Sequence, residues 1–585
     1  MSTGPPATAL EGERAAIMII GATSGAGKST VAAALCRAWA RAGHRVAPFK
    51  AQNMSNHSAV TPDGGEIGRA QAVQAYAARI DTDRRMNPIL LKPSRDRSHV
   101  VVLGEEVGTT DARDYGQIAA GLRTTVLEAL TSLRGEYDIV VAEGAGGAAE
   151  INLLDRDLVN LPLAAAAGIP AVLVVDIDRG GAFAAAHGTL DLVPLRLRHQ
   201  VVGIVFNSFR GDVSLLADGI AELERRDGVP VLGVLPHLGE VLMLGVEDSL
   251  DVRAGEVVGV AQAELPQPGP TRTTPRPAVP PRARRPIRIA AVRYPSLSNP
   301  SDLDPFLIEP DVQVRWVTRA RDLQPADLIV LAGSRATVRD LAWLHARGFA
   351  AALEHTDAAI VGLCGGYQML GDQIIDDVES GEGTVEGLGV LPVTTIFETP
   401  KVVRRSAGVW RARPHGPTPR ASFHPAPEVS LGRGAEASFG SAAEAGLRGA
   451  TQDASPRGTR TQDSPSAESP LAGYQIRWGR PRVQEGAASW LQIDGVAEGV
   501  WVQDGPIRCG TSVHGVFDND AFRRQFLADV ADACGRDYAA GPSGYEAALN
   551  SHAETLADWA EAHLDVGSLL QLARSAVPVG QEPGW

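Results

Sequence analysis

Short apolar runs recur along the chain, separated by Ala-rich stretches of helical length. In the first half they fall at residues 17–20, 45–49, 139–142, 171–175, 201–206 and 229–234. Residues 31–42 and 68–78 between them have the length and composition of helices. Strands that alternate with helices in this way predict a mostly parallel α/β sheet. A second series follows at 287–292, 312–317, 328–331 and 360–363, and strand-like patterning resumes at 474–478, 499–503 and 511–517. The expected fold class is therefore α/β, with two doubly wound, mostly parallel-sheet domains.

Breaks in the pattern set the expected boundaries. Residues 1–15 read as a disordered tail, 16–250 as the first domain and 287–535 as the second. Residues 251–286 are rich in Pro and Arg and read as a linker that builds no core. Ser, Ala, Gly, Arg and Pro dominate 401–470, which reads as a disordered insertion in the second domain. Residues 536–585 read as a helical tail with Leu556, Trp559, Ala560 and His563 on one packing face.

Composition narrows the function classes. The 585 residues are 44% hydrophobic and 21% charged, ordinary for a globular protein. A net charge of −14 disfavours nucleic acid as a partner. The first 14 residues contain Glu11 and Glu13 and no apolar core, so they do not read as a secretion signal. No apolar run reaches the roughly 18 residues that span a bilayer. Four cysteines, at 36, 364, 509 and 534, match neither a disulfide framework nor a zinc site, and a reducing cytoplasm is the expected home.

Two stretches carry chemistry. Gly21-Ala22-Thr23-Ser24-Gly25-Ala26-Gly27-Lys28-Ser29-Thr30 follows an apolar strand and opens a helix. Its backbone N–H groups can surround phosphate oxygens, Lys28 can neutralise the β- and γ-phosphates of ATP, and the Ser29 hydroxyl suits Mg²⁺. Gly25, Gly27 and Thr30 complete the expected ATP contacts. Glu143 ends the third strand-like run and is placed to hold Mg²⁺ beside Ser29. Asp176, Asp178 and Arg179 follow the fourth, as candidates for substrate or metal.

The other stretch is Gly362-Leu363-Cys364-Gly365-Gly366-Tyr367. A cysteine between small neighbours at a strand-to-helix elbow is a candidate nucleophile, with the helix N-terminus facing its sulfur. The N–H groups of Gly365 and Gly333 are candidates for the oxyanion hole. His514 is the candidate proton shuttle to departing ammonia. Glutamine is thus the expected nitrogen donor.

Resemblance sharpens this reading. Five residues, not four, separate Gly21 from Gly27, and with Glu143-Gly144-Ala145-Gly146 this resembles the dethiobiotin synthetase superfamily. The blocks at 47–54, 64–71, 86–93, 155–157, 176–181 and 209–212 look like the cobyric acid synthase family. That likeness implies Asn207 in the ATP site and Lys50, Asn53, Glu66 and Arg69 as substrate or metal residues. Residues 287–400 and 471–530 resemble a class I-type glutamine amidotransferase domain of the cobyric and cobyrinic acid synthase branch. The family implies amidation of the b, d, e and g carboxylates of a corrinoid, adenosylcobyrinic acid a,c-diamide, with ATP and Mg²⁺ as cofactors and glutamine as nitrogen donor. A homo-oligomer is compatible with it.

The chain departs from the family at named places. Gly25 stands where the family usually has Asp. Gln475 and Arg477 replace the Glu and His of the branch's Tyr-Glu-Ile-His-x-Gly pattern. His514 is followed by Gly515 and Val516, so the orienting carboxylate of a His-x-Glu arrangement is missing; a Cys–His dyad, or an acid from elsewhere, must serve. Three alternatives stay open: the sister enzyme that amidates the a and c carboxylates, an ammonia-dependent synthetase with an impaired glutaminase, and a partition-type ATPase switch. The last carries a lysine five positions before the loop lysine, where this chain has Thr23.

Overall fold

The computed structural model describes residues 15–93, 97–111, 114–238, 257–258, 285–411, 468–502, 505–575 and 577. In the first half, strands β1 (Ala15–Gly21), β2 (Val46–Phe49), β3 (Ile139–Glu143), β4 (Ala171–Asp176), β5 (Val201–Phe209) and β6 (Val231–Pro236) form one sheet. Its order is β6-β5-β4-β1-β3-β2, and every pairing is parallel. All seven residues of β1 are buried. Successive side chains of a strand point to opposite faces. Ala16, Met18 and Ile20 accordingly enter one apolar core and Ala15, Ile17 and Ile19 the other. Helix α1 (Lys28–Arg41) lies on the second face, and α2 (Arg69–Ala77) packs beside it.

The apolar pattern anticipated these six strands but not the small elements between β2 and β3. Gln52–Met54, Ile89–Pro93, Ser98–Val102 and Glu105–Thr110 form a second sheet, and Ser58–Val60 pairs with Glu66–Gly68. Most of these strands are short and polar or contain Gly; the brief apolar runs at 89–91 and 100–103 are not among the strands expected from the sequence.

The second half repeats the plan. Strands β7 (Ile287–Val292), β8 (Val312–Val317), β9 (Leu328–Leu331) and β10 (Ala359–Leu363) are parallel to one another. Strands β11 (Val393–Arg411) and β12 (Glu468–Val483) form a long antiparallel ladder outside this sheet. Beyond them, β13 (Val500–Val502) pairs antiparallel with β14 (Arg508–Thr511), which continues the main sheet from β10. Helix α3 (Gly365–Met369) starts at the end of β10, and α4 (Asp520–Cys534) covers an aromatic cluster of Phe517, Phe522, Phe526 and Trp490.

Four expectations change. The strand predicted over 511–517 ends at Thr511, so His514 sits in the loop beyond it. The insertion predicted from 401 begins later, because 401–411 and 468–470 are paired strand; residues 412–467 lie outside the described residues. In the expected linker, Val257–Val258 adds an antiparallel edge to β8. The expected tail is not a tail. Helices α5 (Tyr545–His563) and α6 (Val566–Arg574) return to the first domain and complete its second core through Leu556, Trp559, Ala560 and Leu569. His563 is exposed, off that face.

Candidate active sites

The phosphate loop runs from the end of β1 into α1. Gly27 has φ of 93°, and a Cβ there would stand 2.0 Å from Nδ2 of Asn207, so only glycine permits this approach. Asn207 in turn donates to the Ala26 carbonyl at 3.0 Å, tying β5 to the loop. The Lys28 ammonium donates to the carbonyls of Gly146, at 3.0 Å, and Thr23, at 3.4 Å. It is thus held over the strand end where Glu143 lies. Gly25 has φ of 71° and its would-be Cβ faces Arg179, so the family's Asp side chain would point at that guanidinium. Thr30 is half-buried on α1.

Glu143 is the centre of this site. Ser29 donates to its Oε1 at 2.8 Å, Lys50 donates to the same oxygen at 2.8 Å, and Gln74 of α2 donates to Oε2. Burial opposes ionisation of Glu143, but Lys50, Ser29 and Gln74 outweigh it and hold the carboxyl below its usual range. The neighbouring Cys36 thiol is pushed up by burial and by Glu143, as befits an inert core cysteine. Asp176 pairs with Arg179, and Asp178 with Arg210 at 2.8 Å.

In the second domain Cys364 has φ of 50° and ψ of −109°, outside the regions open to most residues. β10 forces the chain to this sharp elbow, and α3 carries it away. The sulfur lies 3.6 Å from the Ile476 carbonyl and lines a cavity shared with Ser298, Arg335, Arg477 and His514. Gly333 lies beside His514: a Cβ there would stand 3.1 Å from the ring and 2.6 Å from the Ser298 hydroxyl. Gly365 packs on the Ser334 backbone, bringing both glycines predicted for the oxyanion hole to the Cys364 elbow.

The missing carboxylate is Asp302. His514 Nδ1 lies 2.7 Å from Asp302 Oδ2, and the Gly515 N–H donates to Oδ1 at 3.0 Å. Burial disfavours charge on His514, but Asp302 and Cys364, both hydrogen-bonded to the ring, raise its pKa to about 10. Tyr474 stacks on the imidazole at 5.2 Å. Asp302 escapes sequence reasoning because it lies 212 positions from His514 in a short turn with no motif of its own. Of the two departures, Gln475 is buried and bonded to Ser406, and Arg477 is anchored by Gln475 and the Gly479 carbonyl while it lines the cavity.

The tentative substrate residues divide. Lys50 joins the phosphate site, and Asn53 is buried against Gln71 at 3.2 Å. Glu66 and Arg69 do not join it; they face the second domain. Glu66 takes Lys92 of its own domain and Lys401 of β11, the latter at 2.8 Å, and both lysines line the Cys364 cavity. Arg69 lies in the field of Tyr474, Tyr545, Asp518 and Asp304, which outweighs its desolvation. Asn299 bridges the halves, donating to the Ser58 carbonyl at 3.1 Å and to Tyr474 at 2.7 Å. Lys92 of the first domain thus lines the second domain's site, and Glu66 holds Lys401 beside it.

A phosphate-gripping loop on one parallel sheet and a cysteine–histidine–aspartate site on another define an ATP-dependent glutamine amidotransferase ligase. Residues 17–247 match the CobQ/CobB/MinD/ParA nucleotide binding domain, and residues 288–522 match the CobB/CobQ-like glutamine amidotransferase domain. The cobyric acid synthase of Frankia casuarinae is 43% identical over 96% of this chain and 98% of its own length. That of Saccharopolyspora erythraea is 43% identical over 97% of this chain and 96% of its own, and that of Nocardia farcinica 41% over 97% and 98%. The chain belongs to the cobyric acid synthase family. Among the described residues, no helix is long and apolar enough to cross a membrane.

Proposed function

We propose that this enzyme is a glutamine-hydrolysing adenosylcobyric acid synthase, which amidates the b, d, e and g carboxylates of adenosylcobyrinic acid a,c-diamide in cobalamin biosynthesis. Similarity to cobyric acid synthases over almost the whole of both chains carries this reading.

A carboxylate resists attack because its charge repels nucleophiles and oxide is a poor leaving group. Its oxygen takes the γ-phosphoryl group of ATP, releasing ADP and leaving an acyl phosphate; ammonia then displaces phosphate to give the amide. Lys28 is placed to spread the phosphate charge. Ser29 and Glu143 offer two hard oxygens 2.8 Å apart at the loop, a donor set that fits Mg²⁺ together with phosphate and water oxygens. Bound there, Mg²⁺ would neutralise phosphate charge. In the other domain the Cys364 sulfur attacks the side-chain amide carbon of glutamine. His514 protonates the departing ammonia, Gly333 and Gly365 offer N–H groups to the oxyanion, and water cleaves the resulting thioester to glutamate. Asp302 orients the ring as it gives its proton to ammonia and takes one from the attacking water.

Mass spectrometry of the corrinoid product, with glutamine and ammonium compared as donors, tests the reading. Four added amide groups with either donor are expected from the wild type. Cys364→Ala is expected to lose the glutamine-dependent reaction and keep the ammonium-dependent one; loss of both would count against separate sites. Lys28→Ala is expected to lose both, and full activity would refute the ATP assignment. Products amidated at a and c only would identify the sister activity.

A further inference from the structure

Arg335 follows Gly333-Ser334 at the mouth of the Cys364 elbow. It is 8% exposed and lines the same cavity as Cys364 and His514. Its Nη1 donates to Glu379, which also lines the cavity, but among the described residues Nε and Nη2 have no hydrogen-bond partner. Unmet buried donors are costly and rare, so two on one guanidinium call for an explanation. The unmet pair is also a specific one. Nε and Nη2 form the edge of the guanidinium that presents two parallel N–H bonds, the fork that fits a carboxylate. Of the other cations of the cavity, Lys92 is matched by Glu66, Lys401 by Glu66 and Glu106, and His514 by Asp302, while Arg477 is held by Gln475 through Nε and by the Gly479 carbonyl through Nη1.

We propose that Arg335 and Glu379 form the subsite for the amino-acid end of the glutamine donor, Arg335 taking its α-carboxylate and Glu379 its α-ammonium. This rests on the glutaminase reading of the cavity. A free amino acid differs from other primary amides by its paired opposite charges, and a Glu–Arg pair with one open fork is complementary to that pair. Phe397 and Trp478 line the cavity as apolar wall for the methylenes, and Cys364 meets the amide at the far end. Arg335 is then a specificity residue: it fixes which amide reaches the sulfur.

The test measures ammonia release from glutamine and from glutamine α-amide, whose carboxylate is neutralised, by wild type, Arg335→Gln and Arg335→Lys. Losing one partner of a desolvated charge pair typically lowers affinity by roughly 30-fold or more. The wild type is expected to favour glutamine over the α-amide by about that factor, and Arg335→Gln to raise KM for glutamine comparably, with a smaller change in kcat, and to lose the preference. Arg335→Lys, which keeps the charge without the fork, is expected to fall between. A wild type that turns over both amides equally, or an Arg335→Gln variant with unchanged KM and preference, would overturn the assignment while leaving the glutaminase intact. A wild type that releases no ammonia from glutamine would overturn both. Should Arg335→Gln not fold, the wild-type preference and the lysine variant still decide.

Discussion

At the scale of single residues, both sites are built around a buried charge whose partners come from distant segments. Asp302 holds His514, and Lys50 holds Glu143. Asp302→Asn is expected to lower glutamine-dependent amidation by about 10²–10⁴-fold, the usual range for general acid–base assistance, and to spare the ammonium-dependent rate. Stability should follow the histidine. Its folded pKa, about 10, lies above the ordinary 6.5. The ion pair therefore contributes fully below 6.5, and that contribution fades as pH rises through 10. The melting-temperature advantage of wild type over Asp302→Asn should shrink across that window; a gap that widens with pH would contradict the pairing. Lys50→Met leaves a sealed carboxylate with fewer partners and should cost about 3–5 kcal/mol, read from the denaturant midpoint.

At the scale of elements, three pieces do work that their local sequence does not advertise. Helix α2 sends Gln74 to Glu143 at the phosphate site and Arg69 toward Asp304 and Asp518 in the second domain. The C-terminal helices cover a face of the first sheet, with Arg41 of α1 bound to Glu554 and Asp558, and the Trp559 indole donating to the Pro236 carbonyl at 3.0 Å. Trp559→Ala should therefore destabilise the nucleotide domain by about 3–5 kcal/mol, measurable as a lower melting temperature that added ATP partly restores. The β11–β12 ladder runs out to Arg411 opposite Glu468, and Arg405 donates to the Val60 carbonyl at 3.2 Å. Joining Arg411 to Glu468 through a short Asn-Gly turn should keep the protein soluble. Starting the deletion at 405 removes paired strand and an interdomain contact, and should not.

At the scale of the molecule, the two domains meet through buried polar pairs rather than a purely apolar seam. Glu66 is the clearest case: burial opposes its charge, and Lys401 and Lys92 outweigh that and hold it ionised. Because Lys92 lines the Cys364 cavity and Glu66 holds Lys401 there, the nucleotide domain helps to shape the site proposed to release nitrogen. Lys401→Met is expected to reduce glutamine-dependent amidation more than ammonium-dependent amidation, compared under saturating ATP. An equal loss with both donors would place the effect on folding instead.

The sequence by itself determined what depends on neighbours along the chain. A buried parallel strand needs a continuous apolar run, a phosphate loop needs glycines beside Lys28 and Ser29, and a cysteine elbow needs small residues around Cys364. All are local demands and were legible as such, down to the carboxylate at the end of β3. Only the tertiary structure decided what depends on distance in space. It chose Asp302 as the partner of His514, put the tentative substrate or metal residues Glu66 and Arg69 at the domain interface, left the Arg335 fork open, and folded α5 back onto α1 and α6 onto β1. Side chains hundreds of positions apart meet through burial and charge pairing, which leave no periodic trace along the chain.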